Sequence, residues 1–428
     1  MNAEKVNELA KETGFMKRTR KIAAYDLIES VLFNMFETDK LSLNDHSSYL
    51  LVNKGIIVSK QSLDERFNEK SVVFIKKLLE EALSENLYRK DNFPVLNGFS
   101  KIRIKDAVNF QLPEHLKSVY PGSGGAASKA MIKIQFEFDL LTRQILELEI
   151  CPFTKTDSVN AQDTVEKIQP GELVIRDLGY ISIKNMKTIS RERGGYFLNR
   201  LKSSVIVYQE NINGAHQVDF EKLEKKMRKY NIEAQETMAY VGEEDKFPVR
   251  MVVRLVPEKV KQERIREKKK YAKKKKQEIN KETLARCGVN VYITNACEDL
   301  LPIGTIAPIY GIRWQVENVF KVWKSIGGID KVKKISKERF EFYLFSKLIF
   351  LIKSWRIMRL IENATNLAIS YYKFVKVATI SGYDRIDKMI EVIAKTTKAK
   401  QCIEKEFRKN RINEKSIKTI LNTCISVI

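Results

Sequence analysis

Histidine and cysteine are scarce in this chain, at three and five among 428 residues. The cysteines (Cys151, Cys287, Cys297, Cys402, Cys424) form no C-x-x-C pair, and the histidines (His46, His115, His216) are scattered. That pattern excludes a zinc finger and gives no disulfide framework, so a reducing cytoplasm is the expected compartment. The opening, M-N-A-E-K-V-N-E-L-A, lacks the apolar region of a signal peptide. Long lipid-compatible runs are missing as well. The nearest, Phe340 to Ile361, is interrupted by Lys347, Lys353 and Arg356 and reads as an amphipathic or core helix. Acidic charge is short, with 54 Asp plus Glu against 77 Lys plus Arg, a net +23. Apolar residues make up 43%, so the excess does not belong to a disordered polycation. It implies a polyanionic partner, most commonly nucleic acid, although an anionic membrane surface or the ribosome would meet the same charge.

The length suggests two to four domains. Residues 1–95 read as helical. Ser42-Leu43-Asn44-Asp45 has capping-box spacing, Lys54-Gly55 closes that helix, and Ser59 or Ser62 opens the next. This outline fits a helix-turn-helix with Lys60, Gln61 and Arg66 as DNA contacts on the second helix, and it fits an ordinary helical hairpin equally. Residues 96–202 turn strand-like. Ile102 to Asp106, Met131 to Phe138 and Gln144 to Ile150 alternate, Tyr120 to Gly125 is a loop, and Ala161 to Ile168 is helical. Leu173 to Tyr180 is a short buried strand ending in Asp177. Strands followed by a helix and another strand predict an α/β or α+β sheet.

Residues 203–290 mix strands (Ser204 to Gln209, Ala239 to Gly242, Val249 to Val256) with a charged helix. Between Glu258 and Lys281 lie 12 Lys or Arg and 4 Glu. Such a run is either a solvated helix face or a DNA-backbone contact centred on Lys273, Lys274, Lys275 and Lys276. Asn290 to Thr294 is a final strand within residues 291–337. Residues 338–428 read as helical, with apolar spacing in Phe342, Phe345, Leu348, Ile349 and Ile352.

The segment from Tyr310 to Lys324, Y-G-I-R-W-Q-V-E-N-V-F-K-V-W-K, carries the most chemistry. Read as one helix, it aligns Tyr310, Arg313, Glu317 and Lys324 within about a sixth of a turn. Ile312, Val316, Val319 and Trp323 form a separate apolar seam. Asp106 and Asp177 each close a strand in this reading, so three carboxylates can converge with Glu317 at one end of a sheet. Oxygen ligands without His or Cys select a hard cation, Mg2+ or alternatively Mn2+. Phosphodiester cleavage uses two such metals about 3.5–4 Å apart, with Asp106 bridging both and Asp177 and Glu317 serving one side each.

The spacing Y-x2-R-x3-E-x6-K resembles the YREK signature of the DDE transposases of bacterial insertion sequences. Asp177-Leu178-Gly179-Tyr180 is similar to that family's D-x-G-Y. Asn109 to Pro113, Gly122 to Gly125, Tyr196 to Lys202 and Tyr292 to Asn295 also look like the family, and the similarity covers roughly residues 40 to 330. The resemblance implies an α/β fold with a ribonuclease-H-like catalytic core, Asp106 on its first strand. A mostly β insertion domain would interrupt the core, and helical regions would lie at both ends. It implies cut-and-paste transposition through a DNA hairpin, on the transposon ends and then on target DNA. Synapsis must hold two DNA ends at once, so a homodimer is expected, with the helices after Glu338 as its surface. Tyr310, Arg313 and Lys324 would grip phosphates near the transposon end. Relatives stack a flipped base on an aromatic residue of the insertion. No Trp lies there, because Trp314, Trp323 and Trp355 come later, which leaves Tyr208, Tyr230, Tyr240 or Tyr271. One departure stands out: Ala107-Val108 replaces the usual D-S-T or D-G-T continuation. It supports an alternative, a transposase-derived DNA-binding protein with impaired catalysis.

Overall fold

The structure is a computed structural model that describes residues 3–17, 21–34, 42–84, 96–124, 128–202, 205–211, 214–242, 246–276, 278–279, 281–365 and 370–381. Five helices open it: α1 (Ala3–Glu12), α2 (Ala24–Asn34), α3 (Leu43–Lys54), α4 (Lys60–Asp64) and α5 (Glu69–Ser84). The capping box forms as spaced. Ser42 Oγ accepts from the Asp45 N–H, and the Asp45 carboxylate accepts from the Ser42 N–H at 2.7 Å. Gly55, at φ 66°, closes α3 in the left-handed conformation that favours glycine. Ser59, not Ser62, caps α4, and α4 is only five residues long. Glu65 stands at the C-terminal end of α4. Arg66 falls beyond it and donates back to the Ser62 carbonyl at 2.9 Å. Lys60 and Gln61 are exposed on α4, so the three expected DNA contacts do not share one helix.

The sheet has ten strands: β1 (Ile102–Gln111), β2 (Met131–Asp139), β3 (Ile145–Pro152), β4 (Leu173–Arg176), β5 (Tyr196–Arg200), β6 (Val207–Asn211), β7 (Gly214–Gln217), β8 (Ala234–Val241), β9 (Phe247–Leu255) and β10 (Val289–Thr294). Their order is β3-β2-β1-β4-β5-β10-β9-β8-β6-β7. β1, β2 and β3 are antiparallel neighbours, β4 and β5 run parallel to β1, and the remaining pairs are antiparallel. Strands of the 203–290 segment thus extend the same sheet, because β9 pairs along the whole of β10. They do not fold into a sheet of their own. The expected strand start at Ser204 and loop end at Gly125 fall outside the described residues.

Alternation along β1 and β2 sorts two faces. Ile102, Ile104, Val108 and Phe110, with Ile132, Ile134, Phe136 and Phe138, enter the larger apolar core. That face is covered by α11 (Ile303–Gly311), α12 (Gln315–Ser325), α13 (Lys337–Thr365) and α14 (Tyr371–Ser381), and α5 and α2 pack on α13. The opposite face of the same strands is charged yet buried under α6 (Asp157–Thr164). Arg103 pairs with Glu137 at 2.9 Å and Glu172 at 3.0 Å, and Lys105 with Glu147 at 2.8 Å and the Thr164 hydroxyl at 3.0 Å. Burial opposes the charge on Glu137, but Arg103, Lys105 and Arg176 override it and hold the carboxyl down to about 2. Buried ions survive here because each is paired.

A second apolar core, including Val174, Phe197, Phe220, Val253 and Ile293, lies along the β4-to-β8 half with α7 (Ile183–Lys187) and α8 (Phe220–Lys229). The basic run forms α9 (Glu258–Lys275), followed by α10 (Lys281–Ala285). Among the described residues no helix is long and apolar enough to cross a membrane. Phe342, Leu348, Ile349 and Ile352 of α13 are core, as their spacing suggests. Most of the expected dimerisation region, residues 382–428, lies outside the described residues.

Candidate active site

The run from Tyr310 to Lys324 is not one helix. α11 ends at Gly311, Ile312–Trp314 form a 3-10 turn, and α12 starts at Gln315. Tyr310 nevertheless stays near the row, where its phenol feels the charges of Arg313 and Asp177. The apolar seam holds: Ile312, Val316, Val319 and Trp323 are buried, and the Trp323 ring meets Phe136 of β2 edge-on at 5.0 Å. This packing anchors α12 on β1 and β2 and sets the flank that carries Glu317 toward Arg313 and Asp106.

Asp106 lies in the middle of β1 rather than at its end, on the face of Ile104 and Val108. Asp177 directly follows β4, as expected. Because β4 runs parallel to β1 with Lys105 opposite Arg176, the next residues on each strand, Asp106 and Asp177, stand side by side. Arg313 completes the convergence. Its Nη1 donates to Asp106 Oδ2 at 2.6 Å, and its Nη2 lies 3.4 Å from Glu317 Oε1 and 3.6 Å from Asp177 Oδ1. The guanidinium is only 8% exposed, whereas Asp177 and Glu317 are each 42% exposed, which opens the carboxylates toward solvent on one side.

Burial lifts the Asp106 carboxyl to about 6, and the charges of Asp177 and Glu317 push the same way; the Ala107 N–H and Arg313 oppose them. That N–H donates to Asp106 Oδ1 at 2.8 Å, so the backbone supports the carboxylate where the D-S-T pattern would offer a hydroxyl. Burial also raises the Tyr310 phenol to about 12. Among the described residues no three acidic, His or Cys side chains are already closed on one another as a metal cage. Arg313 instead collects three oxygen donors around one positive charge. This donor set fits a hard cation.

Tyr310 is buried, with its ring 5.4 Å from Tyr292 in an edge contact. Lys324 Nζ donates to the Asn109 carbonyl at 2.9 Å, tying the end of α12 to β1. Lys273, Lys274, Lys275 and Lys276 are exposed at the end of α9. Tyr230 and Tyr271 are exposed, while Tyr208 and Tyr240 face each other as a cross-strand pair. The role of Arg313 as hub of all three carboxylates is not evident from local pattern, although its i, i+4 spacing to Glu317 is a signal of it. Trp314, exposed beside Arg313, lies outside the insertion where the base-stacking aromatic is expected.

Tyr180, the last residue of the D-x-G-Y turn, donates to Gln135 Oε1 at 2.5 Å, and Gln135 Nε2 donates to Asp157 at 2.9 Å. A side chain at Gly179 would meet Asp157 Oδ2 at 3.1 Å. The turn that presents Asp177 is thus fitted closely against α6.

Residues 97–352 match the sequence model of a family described as "Transposase DDE domain". The chain is 33% identical over 86% of its length to the transposase for insertion sequence element IS231B of Bacillus thuringiensis, covering 81% of that protein. It is 32% identical to the IS231F transposase of the same species, across 96% of this chain and 91% of the relative. With the IS1151 transposase of Clostridium perfringens the identity is 31%, across 82% and 77%. Three carboxylates drawn onto one arginine therefore occur in a sequence that belongs to the IS4-like DDE transposases of bacterial insertion sequences.

Proposed function

We propose that the protein binds the inverted-repeat ends of its insertion sequence and catalyses DNA cleavage and strand transfer through Asp106, Asp177 and Glu317. The observation that carries this reading is the convergence of those carboxylates on Arg313 from positions far apart in sequence. A ribonuclease-H-like core is supported by three antiparallel strands followed by two parallel ones, with Asp106 on the first. DDE transposases use divalent metal, and all-oxygen donors favour Mg2+, with Mn2+ as a substitute. Two such ions, when bound, would activate the attacking oxygen and stabilise the leaving one. Asp106 would serve both ions, with Asp177 and Glu317 holding one each.

The chain's own part is positional. β1 fixes Asp106, the turn packed on α6 fixes Asp177, and the seam under α12 fixes Glu317. Arg313 offsets carboxylate repulsion before metal arrives, and with Tyr310 and Lys324 it lines the approach of the DNA phosphates. Lys60, Gln61 and Arg66 would contact the end sequence, and Lys273 to Lys276 the backbone. Two copies would act together, because joining an element requires both ends. The excision route we favour is cut-and-paste through a hairpin.

The impaired alternative rests on Ala107-Val108 alone. Purified protein incubated with a duplex carrying the element's end, target DNA and Mg2+ separates the two readings. Nicking followed by joined product is the expected result. Binding without any nicking would hand the protein to the alternative.

A further inference from the structure

One face of the sheet beyond the carboxylates carries arginines that, among the described residues, have no acidic partner. In register, Arg200 of β5 is opposite Tyr292 of β10, and Arg254 of β9 is opposite Asn290 of β10. Paired residues in antiparallel strands project to one side, and Asn290 and Tyr292 are two apart, so all four share a face. Arg264 of α9 joins them, its Nη2 donating to Asn290 Oδ1 at 3.1 Å. Among the described residues no carboxylate pairs with Arg200, Arg254 or Arg264. Arg250, on the same face of β9 beyond Val252, shows the contrast. It pairs with Glu236 and donates to the Leu301 carbonyl at 2.7 Å, as a structural arginine should. Burial, together with Arg200, lowers the affinity of Arg264 for its proton, so the like charges press on one another.

Three half-buried guanidinium groups with no counter-charge among the described residues cost stability, and a ligand rich in negative charge would relieve that. The group is also contiguous with the carboxylates. Tyr292 meets Tyr310 edge-on at 5.4 Å, and Tyr310 lies within the electrostatic reach of Arg313, Asp177 and Arg200. We propose that Arg200, Arg254 and Arg264 form a phosphate-binding tract for the DNA strand leaving the carboxylate site, running over Tyr310 and Tyr292 toward α9. The tract rests on the catalytic reading above for its direction and its ligand. Each guanidinium presents a fork suited to a phosphate oxygen pair, and Asn290 holds the Arg264 fork in place.

The test uses the full chain and a fluorescent duplex carrying the element's terminal inverted repeat, titrated at several salt concentrations. The Arg200→Gln, Arg254→Gln double variant should bind with a log-affinity against log-salt slope shallower by about 1.8, from about 0.9 for each phosphate no longer neutralised. Ethylation of backbone phosphates on one side of the cleavage position should then interfere with wild-type binding and not with the variant's. The Arg200→Lys, Arg254→Lys double variant should restore most of the slope but not the ethylation pattern, since it keeps charge without the fork. Thermal unfolding of Arg254→Gln should match or exceed wild type, because that arginine holds no ion pair. A Gln double variant with wild-type slope and ethylation pattern overturns the tract and leaves the carboxylate reading standing. A wild-type chain that shows no salt-dependent binding to the end duplex overturns both.

Discussion

A single guanidinium stands within 3.6 Å of carboxylates from β1, from the turn after β4 and from α12. Three negative groups gathered without it would repel one another, and Asp106, the most enclosed, would take up a proton first. Arg313→Gln should therefore destabilise the metal-free protein by about 2 kcal/mol, discounted for the exposure of Asp177 and Glu317. Millimolar Mg2+ should restore more thermal stability to this variant than it adds to wild type. Equal Mg2+ responses would mean that Arg313 does not stand where positive charge is needed. This hub is half legible in the sequence. The i, i+4 pair is visible, but the approach of Asp106 depends on β1 passing under α12, which no local pattern encodes.

Among the elements, α12 and α13 meet at Lys347, which is buried and donates to the Gly328 carbonyl at 2.7 Å just past the end of α12. Burial pushes its ammonium down to about 8, with Lys331 adding to the effect and Asp330 opposing it. The folded value lies below the unfolded one, near 10.5, so the unfolded state holds more protons between them. The penalty is complete below about pH 8 and fades as pH rises toward 10.5. Lys347→Met should stabilise the protein by about 2 kcal/mol at pH 7, allowing for the missing hydrogen bond, and the gain should shrink above pH 8. Unfolding curves across pH 6 to 10 read this directly, and a gain that is constant over that range would contradict it. At the other end, Ser42→Ala should cost about 1 kcal/mol through loss of the α3 cap, measurable by chemical denaturation. No change would mean that the cap hydrogen bonds contribute nothing in solution.

Element identity is the most legible level. The caps of α3, the alternation of β1 and β2 and the apolar spacing of α13 all follow from local rules. Three features do not. α4 is short because, although Ser59 caps it three residues ahead of Ser62, it already ends at Asp64 with Glu65 as its C-cap. The Tyr310 to Lys324 run breaks into two helices at Gly311. The alternation of β1 and β2 does not say what covers their polar face; α6 does, and only pairing across distant strands makes that tolerable.

For the whole molecule, the net charge of +23 is distributed unevenly, with Lys273 to Lys276 exposed at the end of α9. Replacing those four with Gln should flatten the salt dependence of DNA affinity by about 0.9 for each phosphate those lysines neutralise. An unchanged slope would assign α9 to a solvated face. Charge class is legible from composition; the continuity of the sheet is not. The resemblance implies a mostly β insertion in residues 203–290; that β9 lies along β10 is not encoded locally, because register between strands that far apart is set by tertiary packing.

The central claim is that Asp106, Asp177 and Glu317 act as one site. Glu317→Ala tests it most directly, because the buried seam of Ile312, Val316, Val319 and Trp323 holds α12 in place without that carboxylate. Nicking of end DNA in Mg2+ should fall to background while affinity for the same duplex stays near wild type. A Glu317→Ala protein that nicks at the wild-type rate would contradict the account.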